Sequence, residues 1–467
     1  MQVLRLFAAL MLAGHAVADP GSKYTVDITV APTKAGRWQV EYVLSTPVDA
    51  IVFARGNGDY RSDTWRLPRG FEIERLGTTD RIRRKNGKPF ARLETTIDTY
   101  TERVPKDYTP FIGFSDGAVA VFTGQFVVGV PESSADTDFL DGANNDNTRW
   151  PESARIELQP GRFDSLIFDS GVYETAHSFP LGEGEYVYLG PAEALDTPDL
   201  VSVMDSAAPG WLRELLYESM ALTFEYYAER LGPLAGGKPF MLTSFTPLDG
   251  RRISFTGGVI GAQIAIELGL GEDMQDTPSE REFMAQFFAH ESAHLWNNGQ
   301  VIAADGTEAW LHEGSAEAMA WLALADLGIH TDLAAVALFE QAASACVEFL
   351  KNGSLRTAGR RDEFQAYYDC GATIALATHG AMRQQGETLF DLWQGLIAAS
   401  LAGDGTYGAN DYYRHAGVVS MELVDAIRAI TEGKTDAPGK AVVRLLESGG
   451  VVAYEDAEGS VRLDVLP

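Results

Sequence analysis

The sequence predicts a multidomain α+β chain: an N-terminal all-β sandwich, then a mainly helical domain, then a short helical C-terminal tail. Three observations predict it. The 467 residues exceed one ordinary domain. Alternating or fully apolar runs rich in Val, Ile, Thr and aromatics fill residues 24–131. From about residue 205 apolar residues recur at helical spacing instead. The expected divisions are 1–18, 19–155, 156–400 and 401–467. Hydrophobic residues make up 45% and charged residues 22%, a globular balance.

The N-terminus carries Arg5, a short apolar run over 6–12 and the small-x-small triplet Ala16-Val17-Ala18 before Asp19. This pattern predicts a signal peptide over 1–18 and a mature protein that is secreted or periplasmic. The run is too short to span a bilayer, and no later stretch reaches about 20 apolar residues, so no transmembrane segment is expected. "YTVDITV", "WQVEYVL", "AIVFAR", "ARLETTI" and "AVAVFTGQFVVGV" follow as strands, separated by turn signals such as "GNGD" and "KNGK". Residues 132–153 are polar, acidic and turn-rich, as a linker or long loop is. "ARIELQ", "SLIFDSG" and "EYVYLG" resume the strands. A helix is predicted over 209–232, ending on Gly232, then strands in "KPFMLTSF" and "ISFTGGVIGAQIAIEL". In the tail, "SMELVDAIRAITEG" and "GKAVVRLLESGG" read as short helices and the last residues as a small hairpin.

Net charge is −29, from 66 acidic and 37 basic residues. Such a surface repels nucleic acid and anionic membrane, which are set aside as partners. Cys346 and Cys370 are an even pair in an exported chain. They are read either as a disulfide closing a loop of roughly 24 residues or as two buried thiols.

One helix concentrates the chemistry. In 277–299 Thr277 is an N-cap, Pro278 fits the first helical position, Glu280 completes a capping box, and Asn298-Gly299 are a stop. His290 and His294 then lie one turn apart on one face, with Glu291 beside them. Two imidazoles at that spacing can ligate one zinc ion, and a neighbouring carboxylate can move a proton. The alternative is an amphipathic helix with two partly exposed histidines. A third ligand decides between them. Glu313 follows in a helix predicted over 307–327, and Glu317, one turn on, can orient a ligand histidine through its free ring nitrogen. His312 is a competing ligand, turned about 100° from Glu313 on a regular helix.

These residues resemble the gluzincin zinc metallopeptidases, specifically the alanyl-aminopeptidase and leukotriene-hydrolase family, and more distantly the glycyl aminopeptidases. The family shows H-E-x-x-H, eighteen residues, then Glu. It also has Trp two places after the second His and W-L-x-E-G around the third ligand; Trp296 and "WLHEG" (310–314) stand there. The resemblance is specific over about 257–371 and architectural elsewhere. It implies a thermolysin-like catalytic domain after the β domain, one Zn²⁺ on His290, His294 and Glu313, and Glu291 as general base and acid. The family's Y-x-x-G implies that Tyr368, with Tyr367 as rival, donates to the oxyanion. Its G-x-M-E-N strand implies that Gly257 and Gly258 dock substrate. There the chain departs: in "GGVIG" (257–261) Ile260 replaces the Glu that holds a substrate amine, and Gly261 replaces the Asn. Glu267, seven residues further along a continuous strand, would be roughly 23 Å away.

The expected function is therefore hydrolysis of peptide bonds in a peptide or protein substrate. Without the anchoring Glu, endopeptidase or relaxed exopeptidase action is as plausible as aminopeptidase action. The other readings are a non-catalytic zinc-containing peptide binder and a zinc hydrolase of a non-peptide bond.

Overall fold

The computed structural model describes residues 23–467 except 34–35, 56–57, 78, 105–106, 132–147, 164, 169–170, 183, 192 and 199. The expected signal peptide and most of the expected linker lie outside the described residues. Two compact units emerge. The first holds residues up to 196 with 201–208 and 240–271; the second holds 197–200, 209–239 and 272–467.

The first unit is built from four sheets. A six-stranded sheet runs His177–Pro180, Ser153–Leu158, Thr25–Pro32, Arg37–Val48, Phe90–Asp98, Trp65–Arg66. Ser153–Leu158 pairs in parallel with Thr25–Pro32, so the boundary expected at 155 falls inside a strand. A second sheet runs Thr148–Arg149, Val128–Pro131, Ala50–Phe53, Thr79–Arg84, Phe71–Leu76. A third runs Gly171–Tyr173, Ser165–Phe168, Tyr186–Gly190, Val119–Phe122, Phe111–Gly113.

This third sheet is buried on both faces. Val119, Val121, Leu166 and Leu189 join one apolar cluster with Val26, Val40 and Ile51. Their neighbours Ala120, Phe122, Ile167 and Tyr188 join another, with Val201, Val203, Phe240 and Leu242. A strand covered on both sides needs no polar alternation, which is why "AVAVF" is apolar throughout.

The fourth sheet runs Leu195–Asp196, Val201–Met204, Phe240–Leu248, Gln263–Gly271, Ile253–Ile260. Its last two strands form a hairpin in which Ile260 faces Gln263. The connection is Gly261-Ala262, and Gly261 has φ +57°, the left-handed conformation that two-residue hairpin turns favour. The fold-back places Glu267 opposite Thr256. The separation of roughly 23 Å expected from sequence is thus wrong, because it assumed one continuous strand.

The second unit is helical: α1 (Gly210–Leu231), α2 (Pro278–His294), α3 (His312–Asp326), α4 (Asp332–Leu350), α5 (Gln365–Arg383), α6 (Leu389–Ala402), α7 (Ala409–Val419), α8 (Met421–Thr431) and α9 (Pro438–Ser448). A two-stranded hairpin, Ala453–Glu455 with Val461–Leu463, ends the chain. α8, α9 and the hairpin stand where the tail was expected to form them; α7, with its polar opening "ANDYYRH", was not foreseen.

α4 is long and apolar enough to cross a membrane, at 19 residues and mean hydropathy 1.5. Its buried residues, Ala335, Val336, Phe339, Ala342, Ala343, Cys346, Val347 and Leu350, instead follow the helical period along one side. Cys346 on this stripe is bonded to Cys370 of α5.

Candidate metal centre

The centre begins with α2. The Thr277 hydroxyl accepts from the Glu280 backbone N–H at 3.3 Å, and Pro278 occupies the first turn. The Glu280 side chain accepts from Ser279 Oγ. Phe288, Met284 and Ala285 bury one side of the helix, which draws His290 and His294 inward with them. α2 stops at His294, short of the expected Asn298, and the chain continues as a π turn over Leu295–Gly299. Trp296 pins that turn: it is buried, packs on Phe224 and Tyr227, and donates to the Gly232 carbonyl at 2.8 Å.

α3 begins at His312 rather than 307, after a 3-10 turn at Gly306–Glu308. Trp310 and Leu311 are buried, Trp310 against Tyr412, and they hold the start of α3 in place. Gly314 then lies against Gly371 of α5: a Cβ on Gly314 would meet the Gly371 backbone at 2.2 Å. Two bare backbones let α3 and α5 cross in contact. Glu313 precedes one of these glycines, and Tyr368 lies one turn before the other. The crossing therefore brings Tyr368 to the ligand cluster, with its ring stacked 5.7 Å from that of His290.

His290, His294 and Glu313 form a cluster that can hold a metal ion. His294 Nε2 lies 3.0 Å from His290 Nε2 and 3.2 Å from Glu313 Oε2. His290 Nε2 lies 3.5 Å from the same oxygen. A tetrahedral zinc with bonds of about 2.0–2.1 Å spaces its ligand atoms about 3.3 Å apart, so this triangle fits one.

The tautomer supports the fit. Asn297 Nδ2 donates to the His312 carbonyl at 2.8 Å, and a carbonyl can only accept. That fixes the amide orientation and turns Asn297 Oδ1 toward His294 Nδ1, 3.0 Å away. His294 Nδ1 therefore carries the proton, and the Nε2 lone pair faces the cluster. Glu317 Oε2 lies 3.7 Å from His290 Nδ1, beyond a hydrogen bond but close enough to act on its charge.

The electrostatics call for positive charge here. Burial disfavours a charged His290, yet Glu317, then contacts with Glu313 and Glu317, and finally Glu291 hold it well above the usual imidazole range. Burial would raise Glu313, but its contacts with His290, His294 and His312 hold it well below the usual carboxylate range. Burial first, then Glu313, pushes the Tyr368 phenol well up, so it keeps its proton and can donate. Glu291 acts electrostatically on both His290 and Tyr368. Tyr367, the rival tyrosine, is occupied elsewhere: its hydroxyl accepts from the Gly359 N–H at 3.1 Å.

Six of the eight residues singled out in the sequence, His290, Glu291, His294, Glu313, Glu317 and Tyr368, thus belong to the second unit. Gly257 and Gly258 belong to the first, on the edge strand Ile253–Ile260. Gly257 has a packing reason there: a Cβ would meet the Ala265 carbonyl at 2.2 Å. Ile260 packs against the cluster around Ile112 and Phe122. Asn297 was missed because an Asn near a helix end reads as a stop signal. His312 does not compete for the triangle: its Nε2 lies 3.5 Å from the other Glu313 oxygen, Oε1.

Among solved structures, the chain is similar to an aminopeptidase N family protein from Idiomarina loihiensis. The TM-score is 0.65 at 13% identity, over 93% of this chain and 79% of that one. It is also similar to an M1 zinc metallopeptidase variant from Deinococcus radiodurans, solved with a Tyr-Ser-Ala substrate. There the TM-score is 0.49 at 13% identity, over 89% and 95% of the two chains. A scan against protein-family models finds no match. A search of curated proteins finds none either. The first likeness gives the chain a gluzincin aminopeptidase-like fold, mixed α+β with its helices gathered toward the C-terminal part.

Proposed function

We propose that the chain is an exported zinc metallopeptidase that hydrolyses peptide bonds. The observation that carries this reading is the triangle of His290, His294 and Glu313, with Glu291 and Tyr368 acting on the same cluster. A zinc ion there supplies Lewis acidity toward water and a substrate carbonyl. Glu291 takes the proton of the attacking water and passes it to the leaving amine nitrogen, so the C–N bond breaks without expelling an amide anion. Tyr368, kept protonated by burial and by Glu313, donates a hydrogen bond to the carbonyl oxygen as negative charge builds on it. Asn297 holds the His294 imidazole, and Glu317 acts on the charge of His290.

Ile260 favours cleavage that does not depend on a free N-terminus. An apolar side chain packed into a core cluster offers a substrate ammonium nothing. Internal cuts are therefore expected alongside terminal ones.

Glu291→Gln tests the mechanism. The variant should keep one zinc per chain by elemental analysis and lose about 10²–10⁴-fold in hydrolysis of a mixed peptide library read by mass spectrometry. Wild-type turnover in that variant would remove Glu291 from the chemistry.

A further inference from the structure

A cavity of about 310 Å³ in the second unit is lined by Glu313 of the metal cluster and by Tyr368. Its wall also includes Arg356, Arg360, Phe364 and Tyr367. The two arginines stand on the 3-10 segment Leu355–Arg361. Leu355 and Ala358 bury that segment, and the Tyr367 hydroxyl accepts from its Gly359 N–H, so the wall is tied to the helix that bears Tyr368.

Arg361, next in the chain, is committed to Glu363 at 2.7 Å and to Thr357. Arg356 and Arg360 are not committed: among the described residues neither makes an ion pair or a side-chain hydrogen bond. Arg356 lies within electrostatic reach of Asp305, but that carboxylate is already bonded to Thr307. Two uncommitted guanidiniums lining one cavity make that lining basic in a chain of net charge −29. A guanidinium offers planar paired donors that match a carboxylate.

We propose that Arg356 and Arg360 form an anion subsite that selects peptides carrying a carboxylate beside the bond to be cut. This rests on the metallopeptidase reading. The carboxylate has two sources, an acidic side chain or the C-terminus of a short peptide, and both present the same group to the arginines.

The test uses the zinc-loaded mature Glu291→Gln chain, which holds peptide without consuming it. The probes are Ala-Phe-Glu-Ala and Ala-Phe-Gln-Ala, each as free acid and as carboxamide, with binding measured by calorimetry. Each carboxylate that reaches the subsite should tighten binding about tenfold, an advantage that fades in high salt. The Glu-against-Gln comparison reads the side chain, and acid against carboxamide reads the C-terminus. Arg356→Gln with Arg360→Gln should erase the preference, and Arg356→Glu with Arg360→Glu should reverse it. Equal binding of all four probes, no binding of any, or a preference that survives both pairs of substitutions overturns the subsite. Turnover of the same peptides by the unsubstituted chain separates the two readings. Charge-selective binding without cleavage keeps the subsite and removes the peptidase; cleavage without charge selectivity does the opposite.

Discussion

The amide of Asn297 decides which nitrogen of His294 is free to bind a cation. Its donor end is fixed by the His312 carbonyl, so its acceptor end must face His294 Nδ1. Asn297→Ala removes that acceptor and should weaken zinc binding by about 10–100-fold, measured by competition with a chelator. Asn297→Asp keeps an oxygen toward His294 but turns a second oxygen on the His312 carbonyl, so it should recover only part of that loss. Unchanged affinity in the alanine variant would show that the ring needs no such partner. At this scale the sequence was legible wherever spacing alone carries the geometry. His290, Glu291 and His294 follow from one helix period, and Glu313 follows from a neighbouring helix whose apolar residues bury it. Asn297 was not legible, because its role depends on a π turn that no periodicity announces. Arg356 and Arg360 left a fainter trace, a basic cluster in an acidic chain.

Between elements, the α3–α5 crossing sets how far Tyr368 stands from Glu313. Gly371→Ala would put a Cβ 2.5 Å from the Trp310 carbonyl, where only backbone can give way. The variant should lose about 1–3 kcal/mol of stability by denaturant titration. Its kcat should fall more than its KM rises, because the phenol moves while the ligands stay. The disulfide ties the same helix to α4, joining Cys370 to Cys346 across 24 residues. Cys346→Ser with Cys370→Ser should cost about 3 kcal/mol, seen as a lower midpoint of thermal unfolding. The sequence admitted this bond without deciding it, since two cysteines and a compartment do not fix which helices meet. The hairpin at Gly261 was missed for a related reason: one glycine in an apolar stretch looks like a flaw in a strand until its φ is known to be positive.

For the whole molecule, the change from strand to helix grammar near residue 205 was legible, but the assignment of 240–271 to the first unit was not. Those strands fill the second face of an already complete sheet, and burial on both faces leaves no alternation to read. Global stability should also depend on pH through His379. Its Nδ1 accepts the Leu389 N–H at 3.3 Å, one of the unpaired donors at the start of α6. Burial, then Arg383, pushes this histidine down to about 4. A neutral ring is thus favoured in the folded state, whereas the unfolded chain takes up the proton near pH 6.5. Stability from this group is complete above about pH 6.5 and is lost as pH falls toward 4. Asp369 opposes it, since burial pushes that carboxyl up to about 6. His379→Asn keeps an acceptor without the titration and leaves Asp369 in place, so the difference between the two proteins isolates the histidine. The wild type's advantage should shrink by about 3 kcal/mol between pH 7 and pH 4, measured by urea titration. A difference that stays flat with pH would remove His379 as the cause.

The touching pair Gly314 and Gly371 has a further consequence for anyone altering this enzyme-like centre. Neither position can accept even a methyl group without moving a backbone that carries a ligand or a phenol. The spacing between the Tyr368 phenol and the Glu313 carboxylate is therefore set where two backbones touch. Finer tuning has to come from side chains that touch neither glycine.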